Sequence, residues 1–141
     1  MPITDYFLAP DDATAGTVPA EGGPGAASLP VVEAKGMDPV VVMGNLESVL
    51  TGRPYGVVVG APRQGHAVSG ASDAVVVAVT DSLRDALAGA SVDALGDAAA
   101  RLAATAELAG SDPVEVTNFV HGLAGLARQA DGRHLYCCWA L

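Results

Sequence analysis

The chain has 141 residues, 16 acids against 7 bases and a formal charge of −9, and at about 150 residues per domain it predicts one domain over 1–141. One lysine, Lys35, and arginines scattered from Arg53 to Arg133 exclude the basic stripe that nucleic-acid binding requires. No apolar run, Ala74 to Val79 included, approaches the ~18 residues of a membrane span.

Half the residues are hydrophobic but only 4% are aromatic, so the core must be packed from Val, Leu and Ala. Met1-Pro2-Ile3-Thr4-Asp5 has no basic segment leading into an apolar one, which sets a cytoplasmic location as the expectation. Cys137 and Cys138 are adjacent. In a strand they point to opposite faces, so they are poor partners for a mutual disulfide, and no metal-ligand spacing surrounds them.

Ile3 to Ala9 reads as a first strand, closed by Pro10. Asp11 or Asp12 can cap a short helix to about Thr17. Residues 19–28, rich in Gly, Pro, Ala and Ser, read as a flexible loop, and Leu29 to Ala34 as a short strand. Asp38-Pro39 combines a capping carboxylate with proline at the first helical position. Val42, Leu46, Val49 and Leu50 then fall on one helical face, and Gly52 supplies the stop.

Tyr55 to Val59 reads as a strand. Residues 60–73 form a Gly-rich connection with room for a short strand at Ala67–Val68. Ala74 to Val79 reads as a central strand buried on both faces. Thr80-Asp81 caps a helix over 82–89, and Ser91 to Leu108 predicts an Ala-rich helix. Asp112-Pro113-Val114-Glu115 brings a cap, a first-position proline and a third-position carboxylate able to reach back. It opens a helix to about Ala130. Asp131-Gly132 is a turn, and His134 to Leu141 the last strand.

Strands and helices do not alternate regularly, so the expected fold is α+β. It is a compact domain with a mixed or antiparallel sheet packed against four to five helices. Four of the six aromatics, Tyr6, Phe7, Tyr136 and Trp139, lie on the first and last strands. This predicts that the two strands are neighbours sharing one aromatic cluster.

Tyr6-Phe7-Leu8 running into an acid-capped helix, Leu46 to Gly52, Val79 to Leu83, and Phe119 to Ala130 followed by Leu135-Tyr136 together resemble the YfbM-like family of uncharacterised bacterial proteins. Where that family carries a Trp and a His before its Leu-Thr-Gly, this chain has Met43, Gly44 and Asn45. The resemblance implies an intracellular α+β domain and no assigned activity.

Chemistry-bearing residues are few. Arg63 in the Gly-rich connection has the planar fork that binds carboxylate or phosphate, with His66 beside it as a proton donor or acceptor. The ordinary alternative is an exposed loop with incidental polar residues. Asp81 lies just past a strand end, where ligands often bind, although capping alone explains it. Thr117, His121 and Arg128 share the polar side of one helix, and His134 reads as a surface residue. The two cysteines read as core packing. No cofactor is called for, and no catalytic signature appears. The leading expectation is a non-enzymatic protein-interaction or binding module with a protein partner or a second copy of itself. The alternative is a small enzyme or small-molecule binder using Arg63 and His66.

Overall fold

The computed structural model describes residues 3–25, 29–70 and 74–140. Residues 26–28 of the predicted loop, 71–73 of the Gly-rich connection and Leu141 of the last strand lie outside them.

Among the described residues five strands, β1 (Ile3–Ala9), β2 (Val31–Lys35), β3 (Ala67–Gly70), β4 (Ala74–Ala78) and β5 (His134–Ala140), form one antiparallel sheet in the order β2-β1-β5-β4-β3. The helices among them are α1 (Asp12–Gly16), α2 (Pro39–Thr51), α3 (Tyr55–Val58), α4 (Asp81–Gly89), α5 (Val92–Ala103) and α6 (Pro113–Arg128). Pro19–Glu21 and Ala106–Leu108 are 3-10 turns.

Five helix starts carry a side-chain cap that satisfies a first-turn N–H. Asp11, Asp38, Thr80, Ser91 and Asp112 accept from Thr14, Val40, Leu83, Ala94 and Val114. At α2 a distant carboxylate adds to this, since Glu107 accepts from the Asp38 N–H at 2.9 Å.

Alternation along each strand sends its residues to two faces. Tyr6, Leu8, Val77, Leu135 and Cys137 face the main core beneath α2, α4, α5 and α6. Phe7, Val76, Ala78, Tyr136 and Cys138 face a thinner layer closed by Ala15 and Val18, from α1 and the turn that follows it. The first and last strands are neighbours, with Ile3 opposite Ala140 and Ala9 opposite His134. Their aromatics divide between the faces because Tyr6 and Phe7 are consecutive. Tyr6 packs edge-on to Phe119 at 5.4 Å, and Phe7 stacks on Tyr136 at 5.7 Å.

Four local expectations are corrected. Tyr55–Val58 is one helical turn and not a strand. Pro54 starts it, and the turn packs on α2, burying Val58 and leaving Val57 exposed. Gly44 permits this approach, since a Cβ there would lie 2.9 Å from the Tyr55 ring. The Ala-rich segment ends as an α-helix at Ala103 and finishes in the 3-10 turn, whose Leu108 is buried. The middle of the sheet is β5, not β4. The predicted reach-back by Glu115 gives way to a place on the groove between α6 and β2.

Leu123 is fully buried on α6. Leu123→Ala is expected to cost about 2–5 kcal/mol in urea unfolding, whereas Val92→Ala, at a position 72% exposed, should stay within about 0.5 kcal/mol. Equal effects would contradict this placement of the core.

Candidate functional site

The predicted site residues gather at one rim of the sheet, where β1 and β4 end and β5 begins. Pro10 ends β1, so Asp11 and Asp12 turn immediately into α1. The antiparallel register brings that turn beside the start of β5. Arg63 reaches the same place from the loop after α3. Its two terminal nitrogens each donate to one oxygen of Asp12 at 2.7 Å, a bidentate fork. The Tyr136 hydroxyl donates to Asp12 Oδ1 at 2.7 Å, and the guanidinium lies 5.8 Å from the centre of the Tyr136 ring.

The hydrogen bonds from Arg63, then from Tyr136, hold the Asp12 carboxyl well below the usual carboxylate range. Burial, then the bond to the carboxylate, pushes the Tyr136 phenol up to about 12. The result is a neutralised clasp joining α1, the 60–66 loop and β5. Arg63's fork is filled from within the chain.

His66 lies near the clasp but exposed. Its backbone is tied down instead: its N–H donates to Arg63 O and its carbonyl accepts from Ala78 N–H. Asp81, first residue of α4, lies 2.8 Å from His134 Nδ1 and 3.2 Å from Arg84. Asp81 thus orients the imidazole. Among the described residues that contact is the only side-chain hydrogen bond the His134 ring makes. The rim therefore brings Arg63 and Asp81 to the same edge of the sheet but joins each to a different partner. Thr117, His121 and Arg128 do not form a group. Arg128 donates to the carbonyls of Ala88 and Ala90, and Thr117 to Pro113 O.

Asp12, Tyr136 and Glu47 escaped sequence reasoning as site members. For Asp12 and Tyr136 a signal existed: pairing the first and last strands places the turn after Ala9 against the start of β5. Glu47 is a buried carboxylate on α2, 1% exposed. It accepts from Arg53 at 2.5 Å and from the Thr80 hydroxyl, which also caps α4. The pattern of Leu46-Glu47 gives no hint of this, because Thr80 is remote in sequence.

Both cysteines are buried and free. Desolvation raises both thiols above their ordinary range, the opposite of what an activated nucleophile needs.

A second feature lies on the other side of the domain. Between β2 and α6 runs a groove of about 550 Å³. Val32, Ala34, Val116 and Phe119 contribute apolar surface to it, and Glu115 charge. Among the described residues β2 is an edge strand, paired only with β1, so one row of its backbone donors and acceptors faces outward along the groove.

Comparison of the chain with family models, with curated proteins and with solved structures finds no match. Among the described residues no helix is long and apolar enough to cross a membrane.

The Arg63–Asp12 pair fixes a pH dependence. Asp12's pKa is lower in the folded chain than in the unfolded one. Its stabilisation is therefore complete above about pH 4, the ordinary carboxylate value, and is lost as the pH falls through the folded value. Arg63 and Asp12 are 37% and 44% exposed, so solvent screening limits the contribution to about 1 kcal/mol or less. Asp12→Asn is expected to lower the urea midpoint at neutral pH, with the gap to wild type closing below about pH 4. A gap that widens on acidification would contradict the assignment.

Proposed function

We propose that this chain is a non-enzymatic, cytoplasmic protein-interaction module. It receives an extended polypeptide segment along the free edge of β2, above the groove that β2 forms with α6. The observation that carries this reading is the juxtaposition of an unpaired strand edge with a groove that offers apolar surface. That combination supports strand addition, in which main-chain hydrogen bonds supply affinity and alternate side chains enter the groove.

The two edges of the sheet are not equivalent in this respect. β3 has four residues and a register shift between Ala67 and Ser69, an irregularity of the kind that blunts an edge. β2 keeps an unbroken register with β1 from Val31 to Lys35. A YfbM-like ancestry would imply the same kind of domain and would not alter the choice of surface. The alternative of a small-molecule site on Arg63 and His66 has less support. Such a site needs convergent polar groups free to meet a ligand, and Arg63 already gives both ends of its fork to Asp12.

Selection of random peptides by display, followed by amide-shift mapping on isotope-labelled protein, tests the proposal. Selected peptides are expected to shift Val31–Lys35 together with the α6 residues that line the groove. Shifts confined to the 60–66 loop and α1, or failure to select any ligand for a monomeric chain, would overturn it.

A further inference from the structure

We propose that the segment received at the β2 edge is β2 of a second copy of this chain, paired antiparallel about Ala34 so that Glu33 of each copy lies opposite Lys35 of the other. The inference rests on the reading of β2 as the partner edge and names the partner.

Residues directly opposite in an antiparallel pair share a face. A two-fold axis perpendicular to the sheet keeps each face on its own side. Opposed residues must therefore be an even number apart, and the axis must pass through a residue. Within β2 three centres allow at least three opposed positions.

Centred on Val32, the pairing sets Glu33 against Val31 and leaves Lys35 beyond the strand. Centred on Glu33, it sets two carboxylates against each other, which is repulsive. Centred on Ala34, it makes two Glu33–Lys35 pairs on one face. On the other face it sets Ala34 against Ala34. Only this last register is complementary in charge, and it uses the single lysine of the sequence.

The charges of one copy, taken alone, are unbalanced at this place. Glu33 lies opposite Asp5 in the β1–β2 register, two acids side by side on the same face. Asp5 is half-buried and its Oδ1 has no hydrogen-bond partner. Burial, and then the charge of Glu33, raise its pKa. Lys35, at the end of β2, makes no ion pair among the described residues and is exposed. In the Ala34-centred pair the second copy's ammonium would complete a row running Asp5, Glu33, Lys35 across three strands. The two five-stranded sheets would become one continuous sheet, and the Ala34 methyls of the two copies would meet on the groove side.

Sedimentation equilibrium on the wild type and on E33K, K35E and the double variant E33K/K35E tests this. The wild type is expected to sediment at twice the 14.0 kDa of one chain. Each single variant turns two attractive cross-strand pairs into repulsive ones and should weaken association by about tenfold or more. The double variant restores the pairing with its signs exchanged and should regain most of the affinity.

A wild type that remains at 14.0 kDa up to millimolar concentration, single variants that associate as well as wild type, or a double variant that fails to recover would each overturn the proposal. If displayed peptides bind the β2 edge of a monomeric wild type, the second copy is the wrong partner and the interaction reading stands. If no peptide binds there either, both fall.

Discussion

β1 and β5 are paired along seven residues each at the middle of the sheet, from Ile3–Ala140 to Ala9–His134. Every other strand is added outward from this pair, β2 onto β1, and β4 with β3 onto β5. The core above the sheet takes its floor from Tyr6, Leu8, Leu135 and Cys137, and the layer below takes its roof from Phe7, Tyr136 and Cys138. The two strands lie far apart in sequence, so their pairing closes a loop that contains most of the chain. The entropic cost of closure grows only slowly with loop length, by about 0.6 kcal/mol per doubling. The larger effect of such non-local pairing is on folding rate. Helices with strong caps and the local β3–β4 pair lie within that loop, where contacts of short sequence separation can form before the ends meet.

The same pairing explains why the rim holds together. Asp12 is the third residue after β1 and Tyr136 lies in β5, so the register sets the carboxylate against the phenol. Arg63 then fills the remaining acceptor positions. A carboxylate with both oxygens bonded to a guanidinium fork and one also to a hydroxyl is a finished structure, with its charge cancelled where it stands. Glu47 shows the same logic at greater depth, with Arg53 and Thr80 as partners. Asp5 shows the opposite case, with an acid beside it and an oxygen unpartnered. Much of the acidic excess read from composition is thus accounted for by caps and clasps, and the unbalanced remainder includes a pair of acids at one edge of the sheet.

What the sequence made legible was local. Asp38-Pro39, Thr80-Asp81 and Asp112-Pro113 mark helix starts because a cap acts on N–H groups two or three residues away. The β1 and β5 segments were readable from β-branched and aromatic content. Tyr55 to Val59 misled because three consecutive valines favour strands on propensity, whereas burial against α2 through Gly44 decides in favour of a helical turn. The central place of β5 was not readable from apolar runs, because Ala74 to Val79 is the greasier segment and strand order is a tertiary property. Arg63 and Asp81 could be singled out from residue type, but not their pairing with Asp12 and His134, since each partner lies about fifty residues away along the chain. The β2–α6 groove left no trace in the sequence, because neither segment has a pattern that foretells the other.

Cys137 and Cys138 are consecutive in the central strand and so enter different layers, one beneath the four-helix core and the other beneath α1 and its following turn. The strand thereby carries a chemical reporter into each half of the molecule. Burial keeps both thiols protonated and shielded, so each reacts only when its own layer opens. The thin layer lacks a long helix, and its opening disturbs less buried surface than that of the main core. Alkylation followed residue by residue would therefore time the loosening of the two layers separately, with Cys138 modified ahead of Cys137, in a chain that needs no introduced label.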